Sequence, residues 1–174
     1  MPVAVDVIPT PPRRKRLLWD QFHSISYPSG YVPRDDLKVT GDMLDWTGDH
    51  IHTNFRDAYI KLRSAGYFVE VLSSDFTCFE ARNYGALLVV DPEDEFFPEE
   101  VAKLENDLRE KSLSLVVFAD WYHAASIRGV TFFDDNTRSD WKAVTGGCNI
   151  PALNDLLAPL GIAFRWVTNL LALK

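Results

Sequence analysis

The sequence has little cysteine, no excess of basic residues and no long hydrophobic run. Only two of its 174 residues are cysteines, so at most one bridge could form and a small disulfide-stapled domain is excluded. Acidic residues outnumber Lys and Arg by 25 to 18, giving a net charge of −7, whereas proteins that follow nucleic-acid phosphates collect basic residues. The apolar runs are far shorter than the roughly 20 residues that a bilayer crossing needs. We therefore expect no nucleic-acid partner and no membrane contact by this segment.

The sequence does contain short apolar segments that alternate with helical patterns. Because the segments show no polar alternation, they predict buried parallel strands with helices on both faces of the sheet. The fold class is therefore α/β, with a mostly parallel, doubly wound sheet and flavodoxin-like layers. We predict strands at 16–20, 67–72, 86–91 and 113–120, a fifth strand starting at Gly161, and helices after Thr53-Asn54, from Pro98 and from Asn149 to Leu157. The predicted organisation is an extended lead-in at 1–15, one α/β domain at 16–164 and a divergent tail at 165–174.

Three aspartates fall at the predicted carboxyl ends of strands, the edge at which open α/β sheets bind ligands. Asp20, Asp91 and Asp120 could hold a metal or divide acid and base roles, and the turn at Gly146-Gly147 could approach a ligand through its backbone. The alternative is that acids at strand ends only suit a loop or cap a helix. No glycine-rich dinucleotide fingerprint or phosphate loop is present, so we predict no cofactor.

Other reactive residues have structural alternatives. His50-x-His52 could clamp a metal, or it could hydrogen-bond a loop to the start of a helix. Cys148 precedes a helix and would be a nucleophile only with a histidine in reach. No Gly-x-Ser-x-Gly elbow or serine triad can be recognised, so we assign no catalytic and no metal-binding residue. The basic run 13–16 resembles a dibasic proteolytic processing site. Because it leads into a predicted buried strand, we interpret it instead as solvent-exposed residues that flank the strand.

Several long stretches, in order, carry a resemblance to a known family. Together they resemble the region immediately downstream of the catalytic domain in the membrane-bound transcription factor site-1 protease family of subtilases, in its plant form. The stretches are IPTPPR (8–13), RLLWDQFHS (16–24), YPSGYVPRD (27–35), LDW (44–46), GDHIHTNF (48–55), FTCF (76–79), FFPEE (96–100), FDDNTR (133–138) and TGGCNIPALN (145–154).

The resemblance implies a class I glutamine amidotransferase-like fold, C-terminally truncated because the similarity stops after Phe164. It implies a parent serine endopeptidase of the Golgi or endoplasmic reticulum that cuts membrane-bound transcription factor precursors. The catalytic Asp, His and Ser motifs of that family lie in the preceding domain and match nothing here. The expected function is therefore that of a non-catalytic luminal ancillary domain whose partner is the subtilisin-like catalytic domain. The alternative is a small-ligand or metal-binding α/β domain that uses the acidic strand tips.

Overall fold

The computed structural model describes residues 9–24, 50–52, 55–120, 122, 131–135, 138–142 and 148–164. Within these residues no helix is long and apolar enough to cross a membrane. The described part of the chain contains 3-10 helices at Arg13–Lys15, Phe76–Cys78, Ala81–Asn83 and Ala158–Leu160. The strands are β1 (Arg16–Asp20), β2 (Phe68–Leu72), β3 (Ala86–Val90), β4 (Ser114–Phe118), β5 (Thr131–Asp134) and β6 (Ser139–Lys142), and the helices are α1 (Arg56–Ser64), α2 (Pro98–Glu110) and α3 (Ile150–Leu157).

The first four strands form one parallel sheet in the order β2-β1-β3-β4. The chain moves outward from β1 to β2, returns past β1 to β3 and continues to β4, so the direction of winding reverses between β1 and β3. This arrangement confirms the predicted α/β class and the four strands predicted before Gly161.

Helices cover the two faces of the sheet unequally. Leu18, Leu87 and Val89 face α2 and α3, whose inner residues Leu104 and Leu153 are at most 1% exposed. On the opposite side, which we call the α1 face, the cluster is smaller. It consists of Leu17, Trp19, Ile51, Ala86, Leu88 and Val90, with Phe55, Tyr59, Leu62, Tyr67 and Val69 packed against it.

The expected fifth strand is wrong for the residues described. Residues 161–164 are not part of a sheet. Gly161 adopts φ 72° and ends the 3-10 helix that follows α3, where a left-handed residue suits glycine. Asn154 then satisfies both backbone groups of Phe164, since its side chain accepts from the Phe164 N–H at 2.7 Å and donates to its carbonyl at 3.0 Å. A side-chain amide therefore takes the place of a strand partner.

A separate antiparallel hairpin of β5 and β6 was missed by the sequence reasoning. Its pairing runs from Thr131 opposite Lys142 to Asp134 opposite Ser139, with Arg138 at φ 51° near the turn. The predictions for Gly146, Gly147 and the 165–174 tail lie outside the described residues.

Candidate functional site at the carboxyl edge of the sheet

The carboxyl ends of the four parallel strands meet at one edge, where the predicted aspartates are found. Asp20 is the last residue of β1, Asp91 directly follows β3, and Asp120 lies two residues after β4. Because β1 and β3 are neighbours at the point where the winding reverses, Asp20 and Asp91 flank the position at which doubly wound sheets bind ligands. Asp20 is 2% exposed and Asp91 6% exposed, whereas Asp120 is open to solvent.

Asp20 belongs to a buried hydrogen-bonded network with a histidine and a glutamate. Asp20 Oδ2 lies 2.8 Å from His23 Nδ1, and the other ring nitrogen, Nε2, lies 3.2 Å from a carboxylate oxygen of Glu100. All three side chains are at most 2% exposed. The network therefore joins β1 to the first turn of α2 across 77 residues of sequence.

Both carboxylates also accept backbone N–H groups. Asp20 Oδ1 accepts from Phe22 at 3.1 Å, closing a tight turn after β1. Glu100 Oε1 accepts from Phe76 at 2.7 Å, and Oε2 accepts from Phe97 at 2.8 Å. Phe97 is the N-cap of α2, so Glu100 makes the glutamate half of a capping box that the Phe97 ring cannot reciprocate.

These contacts determine where the proton of the network lies. Burial opposes a charged imidazole, but the hydrogen bond and charge of Asp20, with the charge of Glu100, outweigh it and raise the pKa of His23 above its ordinary 6.5. For the Asp20 carboxyl, burial raises the pKa, although its bonds to His23 oppose this shift. Both shifts favour the protonated form of their group, so the Asp20–His23 pair holds a proton more tightly than its members would in water. Since each carboxylate already accepts backbone N–H groups, we assign that proton to the imidazolium.

Aromatic rings seal the network from water. The His23 ring packs edge-on against Phe22 and Phe76, and lies 4.3 Å from the ring centre of Phe96. An imidazole enclosed in this way cannot reach a substrate. The network therefore holds three loops and one helix in place and is not arranged to transfer a proton to a bound molecule.

The loop after β3 closes the crevice beside this network. The His23 carbonyl accepts from the N–H groups of Glu93 at 2.7 Å and Asp94 at 3.0 Å. The Asn149 N–H, at the start of α3, donates to the Pro92 carbonyl at 2.6 Å. The loops after β1 and β3 and the N-cap of α3 are thus joined directly at the edge where a ligand was expected.

Asp91 and Asp120 are brought together, but apart from Asp20. The Asp120 N–H donates to Asp91 Oδ1 at 3.3 Å, and Asp91 has φ 51°, an unusual backbone conformation for a residue other than glycine. A polar cavity of about 190 Å³ lies between Glu95 and Asp155, and neither Asp91 nor Asp120 lines it. That volume is below the roughly 300 Å³ at which pockets for small molecules begin. In the described part of the chain, no group of three or more His, Cys, Asp or Glu could hold a metal ion.

The His-x-His motif binds its own loop. His50 Nδ1 accepts from the His52 N–H at 3.1 Å, and the His50 carbonyl accepts from the Phe55 N–H at 3.2 Å, just before α1. Burial, aided by the charge of His52, lowers the pKa of His50 to about 4. His50 is therefore neutral at physiological pH, and its Nδ1 lone pair is occupied by the backbone.

The two cysteines lie in very different surroundings. Cys148 is fully buried, and Cys78 is exposed on a 3-10 helix. A buried thiol in the core lacks the electropositive, accessible surroundings that activate a nucleophile.

The basic run before β1 is structural, contrary to its interpretation as a solvated flank. Arg13 donates to the carbonyls of Tyr84 at 2.8 Å and Lys111 at 2.6 Å, and its Nη2 also reaches the Ala81 carbonyl at 3.4 Å. Arg16 pairs with Glu70 at 2.7 Å. Only Arg14 of the four is exposed. The signal that could have indicated this role is the position of the run at the amino edge of the sheet, where carbonyls of several loops converge.

His23 and Glu100 were also missed. Asp20 and His23 are three residues apart in a turn, and Glu100 is at the third position of a helix that begins with Phe97-Pro98. The sequence could have predicted the Asp20–His23 turn and the capping role of Glu100 separately, because each is a local motif. Their meeting across the sheet could not be predicted, because it depends on tertiary structure.

The fold and this edge define the class of protein: a doubly wound α/β domain whose usual ligand crevice is occupied by its own side chains. The family model described as MBTPS1, fourth GATase-like domain, matches residues 11–168, and the chain belongs to that family.

The relatives are proteases of much greater length. The chain is 63% identical over 158 residues to the Subtilisin-like protease SBT6.1 of Arabidopsis thaliana, covering 91% of this chain and 15% of that protein. It is 59% identical over 164 residues to the Membrane-bound transcription factor site-1 protease of Homo sapiens, covering 94% of this chain and 16% of that protein. The mouse protease of the same name is 58% identical over the same length. The chain thus spans about a sixth of the relatives that it matches.

Proposed function

We propose that this chain is a non-catalytic ancillary domain of a site-1-protease-like, subtilisin-family serine endopeptidase. The observation that carries the proposal is the family match over 11–168, at 58–63% identity to a corresponding minor part of three proteases. The relatives' printed name, Membrane-bound transcription factor site-1 protease, supports an activity of the whole protein on membrane-bound transcription factor precursors. The domain would then lie in the lumen of the endoplasmic reticulum or Golgi, with the subtilisin-like catalytic domain as its partner.

The geometry supports a scaffolding role within that protease. The buried network of His23, Asp20 and Glu100 is closed by aromatic rings, and the Cys148 thiol is fully buried. Neither group can attack a peptide carbonyl while the domain is folded. The physical contribution of the domain is a rigid sheet against which other parts of the protease pack.

A chimeric protease tests this role directly. Residues 11–164 would replace the aligned region of the Arabidopsis protease, with and without Glu100→Gln, which disturbs the buried network. We expect Glu100→Gln to lower the thermal stability and the secreted amount of the chimera while leaving kcat/KM per folded molecule unchanged. Glu99→Gln, an exposed neighbour in the same turn of α2, is the matched control. A change in kcat/KM without a change in stability would contradict a scaffolding role. So would specific peptide hydrolysis by the purified chain alone.

A ligand-binding domain is the second candidate, favoured by the contact between Asp91 and Asp120 at the carboxyl edge. A divalent cation held there would raise the apparent stability by mass action. Thermal unfolding with Ca²⁺, Mg²⁺ and Mn²⁺, compared with an Asp120→Asn variant, distinguishes the candidates. A rise in Tm that the variant abolishes would support ligand binding.

A further inference from the structure

The network of Asp20, His23 and Glu100 is a junction at which several segments of the chain meet. Asp20 and His23 hold the loop after β1, and Glu100 lies in the first turn of α2. The Phe76 N–H donates to Glu100 and so joins the neighbouring 3-10 helix to the junction. The His23 carbonyl accepts from the loop after β3, which in turn accepts from the N-cap of α3. The protonation of one side chain, His23, therefore affects the whole carboxyl edge.

The charge of the junction depends on that proton. With an imidazolium, one cation lies between two carboxylates that also accept backbone N–H groups. A neutral imidazole has one N–H and one lone pair, so either Nδ1 would face Asp20 at 2.8 Å or Nε2 would face Glu100 at 3.2 Å without a hydrogen. Two buried carboxylates would then remain without the charge that pairs them, which is unfavourable away from water. The closed junction therefore requires the protonated ring.

The groups that face the ring from each neighbouring element favour the same state. β1 contributes Asp20 and α2 contributes Glu100, and both are acidic. The loop after β3 carries Glu93 and Asp94, whose negative charges would also favour a cation. The remaining ring contacts are uncharged aromatic side chains, those of Phe22, Phe76 and Phe96. In agreement with these surroundings, the pKa of His23 is raised above 6.5 although burial opposes the charge.

The opposite end of α2 is held by contacts that do not involve this junction. The Arg13 guanidinium donates to the Lys111 carbonyl at 2.6 Å, and the Asp107 carbonyl accepts from the Leu113 N–H at 3.3 Å. Between the two ends, Leu104 is 1% exposed in the core. Regions of a folded protein open separately when each is held by its own contacts. The first turn of α2 can therefore detach at the carboxyl edge while the later turns and the sheet stay in place.

We propose that Asp20, His23 and Glu100 form a proton-dependent latch. While the His23 ring is protonated, the latch closes the crevice between β1 and β3 by holding the two loops and the first turn of α2 against the sheet. When the ring loses its proton, these segments detach together and admit water, while the sheet remains folded. Water would enter beside the Phe22 ring, which is 38% exposed. The latch is a property of this fold alone, so it does not depend on the proposed role in a protease.

Amide hydrogen exchange and imidazole NMR on the whole chain test the latch, with the pH raised from about 6 until the chain unfolds. After correction for intrinsic exchange rates, we expect the protection of the latch amides to fall together as the His23 ring titrates. The fall should be about 10- to 100-fold, the equivalent of one hydrogen bond to a charged group. The latch amides are those of Phe22, Phe76, Glu93, Asp94, Phe97 and Asn149. The amino-edge amides of Gly85, Lys111 and Ser114 should keep their protection.

Two pairs of variants distinguish a latch from a merely structural contact. His23→Gln should abolish the pH dependence of the latch amides. His50→Gln should leave it intact, because the pKa of His50 is lowered to about 4 and its ring is neutral throughout the titration. Glu100→Gln removes one of the two carboxylates that retain the proton, so it should move the release to lower pH. Glu99→Gln, exposed in the same turn of α2, should leave the pH of release unchanged.

Four results would overturn the proposal. In the first, the His23 ring titrates and the protection of the latch amides does not change. In the second, the amino-edge amides lose protection in parallel, which is unfolding of the whole domain. In the third, the ring stays protonated up to the pH at which the chain unfolds, so that the latch has no open state. In the fourth, the ring is already neutral at pH 6.5, which contradicts the charge on which the latch depends.

Discussion

Replacing Glu100 by glutamine perturbs the buried network with almost no change in shape. The carboxylate accepts one backbone N–H on each oxygen, from Phe76 and from Phe97, and faces the imidazolium of His23. Glutamine has one acceptor oxygen and one donor NH₂ group, so it keeps one of these bonds and sets its NH₂ against the other backbone N–H. It also removes the negative charge opposite His23.

The magnitude follows from these losses. A hydrogen bond to a charged group contributes about 1.5–3 kcal/mol, and a buried donor left without a partner costs about 1–3 kcal/mol. We therefore expect Glu100→Gln to lower the free energy of unfolding by about 3–5 kcal/mol, the range for breaking a buried ion pair. For a domain of this size, that corresponds to a fall in Tm of roughly 6–20 °C.

Urea unfolding followed by tryptophan fluorescence measures this quantity. Glu99→Gln is the matched control, because Glu99 is exposed in the same helical turn and the substitution should change stability by less than about 0.5 kcal/mol. The reasoning would be refuted if Glu100→Gln unfolded within that margin of the wild-type chain. It would also be refuted if the Glu99 control lost as much stability as Glu100→Gln.

Four further predictions concern pH, thiols, backbone packing and a buried tyrosine. Because the pKa of His23 is raised, its contribution to stability is complete below pH 6.5 and is lost as the pH rises through the folded-state value. The pKa of His50 is lowered to about 4, so its contribution to stability changes in the opposite direction and is lost as the pH falls from 6.5 towards 4. Urea titrations should show both limbs, His23→Gln and His50→Gln should each remove one, and a flat profile would contradict the assignment. Ellman's reagent should modify Cys78 in the native chain and Cys148 only after unfolding, so rapid labelling of both thiols would disprove the burial of Cys148. Gly85→Ala should destabilise by about 1–3 kcal/mol, because the new Cβ would lie 3.0 Å from the Arg13 carbonyl oxygen, and an unchanged Tm would show that this backbone contact can relax. Burial, together with the hydrogen bond and charge of Glu70, raises the pKa of Tyr84 to about 12, so tyrosinate absorbance near pH 11 should increase more in a Glu70→Gln variant than in wild type, and an equal increase would contradict this cause.

The regular elements of the parallel sheet could be predicted from the sequence because their signals are local. The apolar runs containing Leu87-Leu88 and Val116-Val117 have the composition of buried strands, and Pro98 with two following acids marks the start of α2. The hairpin was missed because its strands have four residues each, too few for periodicity to distinguish them from a loop.

The candidate site was only half predictable. That the three aspartates lie at the carboxyl edge follows from sheet geometry, but their partners do not. Asp20 binds His23, which three residues of sequence allow, and the pair then meets Glu100 only because α2 packs over β1. The same pattern of acids at strand ends would suit a ligand site or a closed network, and tertiary packing alone distinguishes them.

The contacts of Arg13 have a practical consequence for anyone shortening this chain. Its guanidinium reaches carbonyl oxygens contributed by the first residue of a 3-10 helix, the residue before Gly85 and the C-cap of α2. A protein trimmed to start at the first strand would leave those three oxygens without their cation, so expression boundaries belong upstream of residue 13. By the same reasoning, trypsin should spare the Arg13 bond in the native fold, and cleavage there would report unfolding of the amino edge.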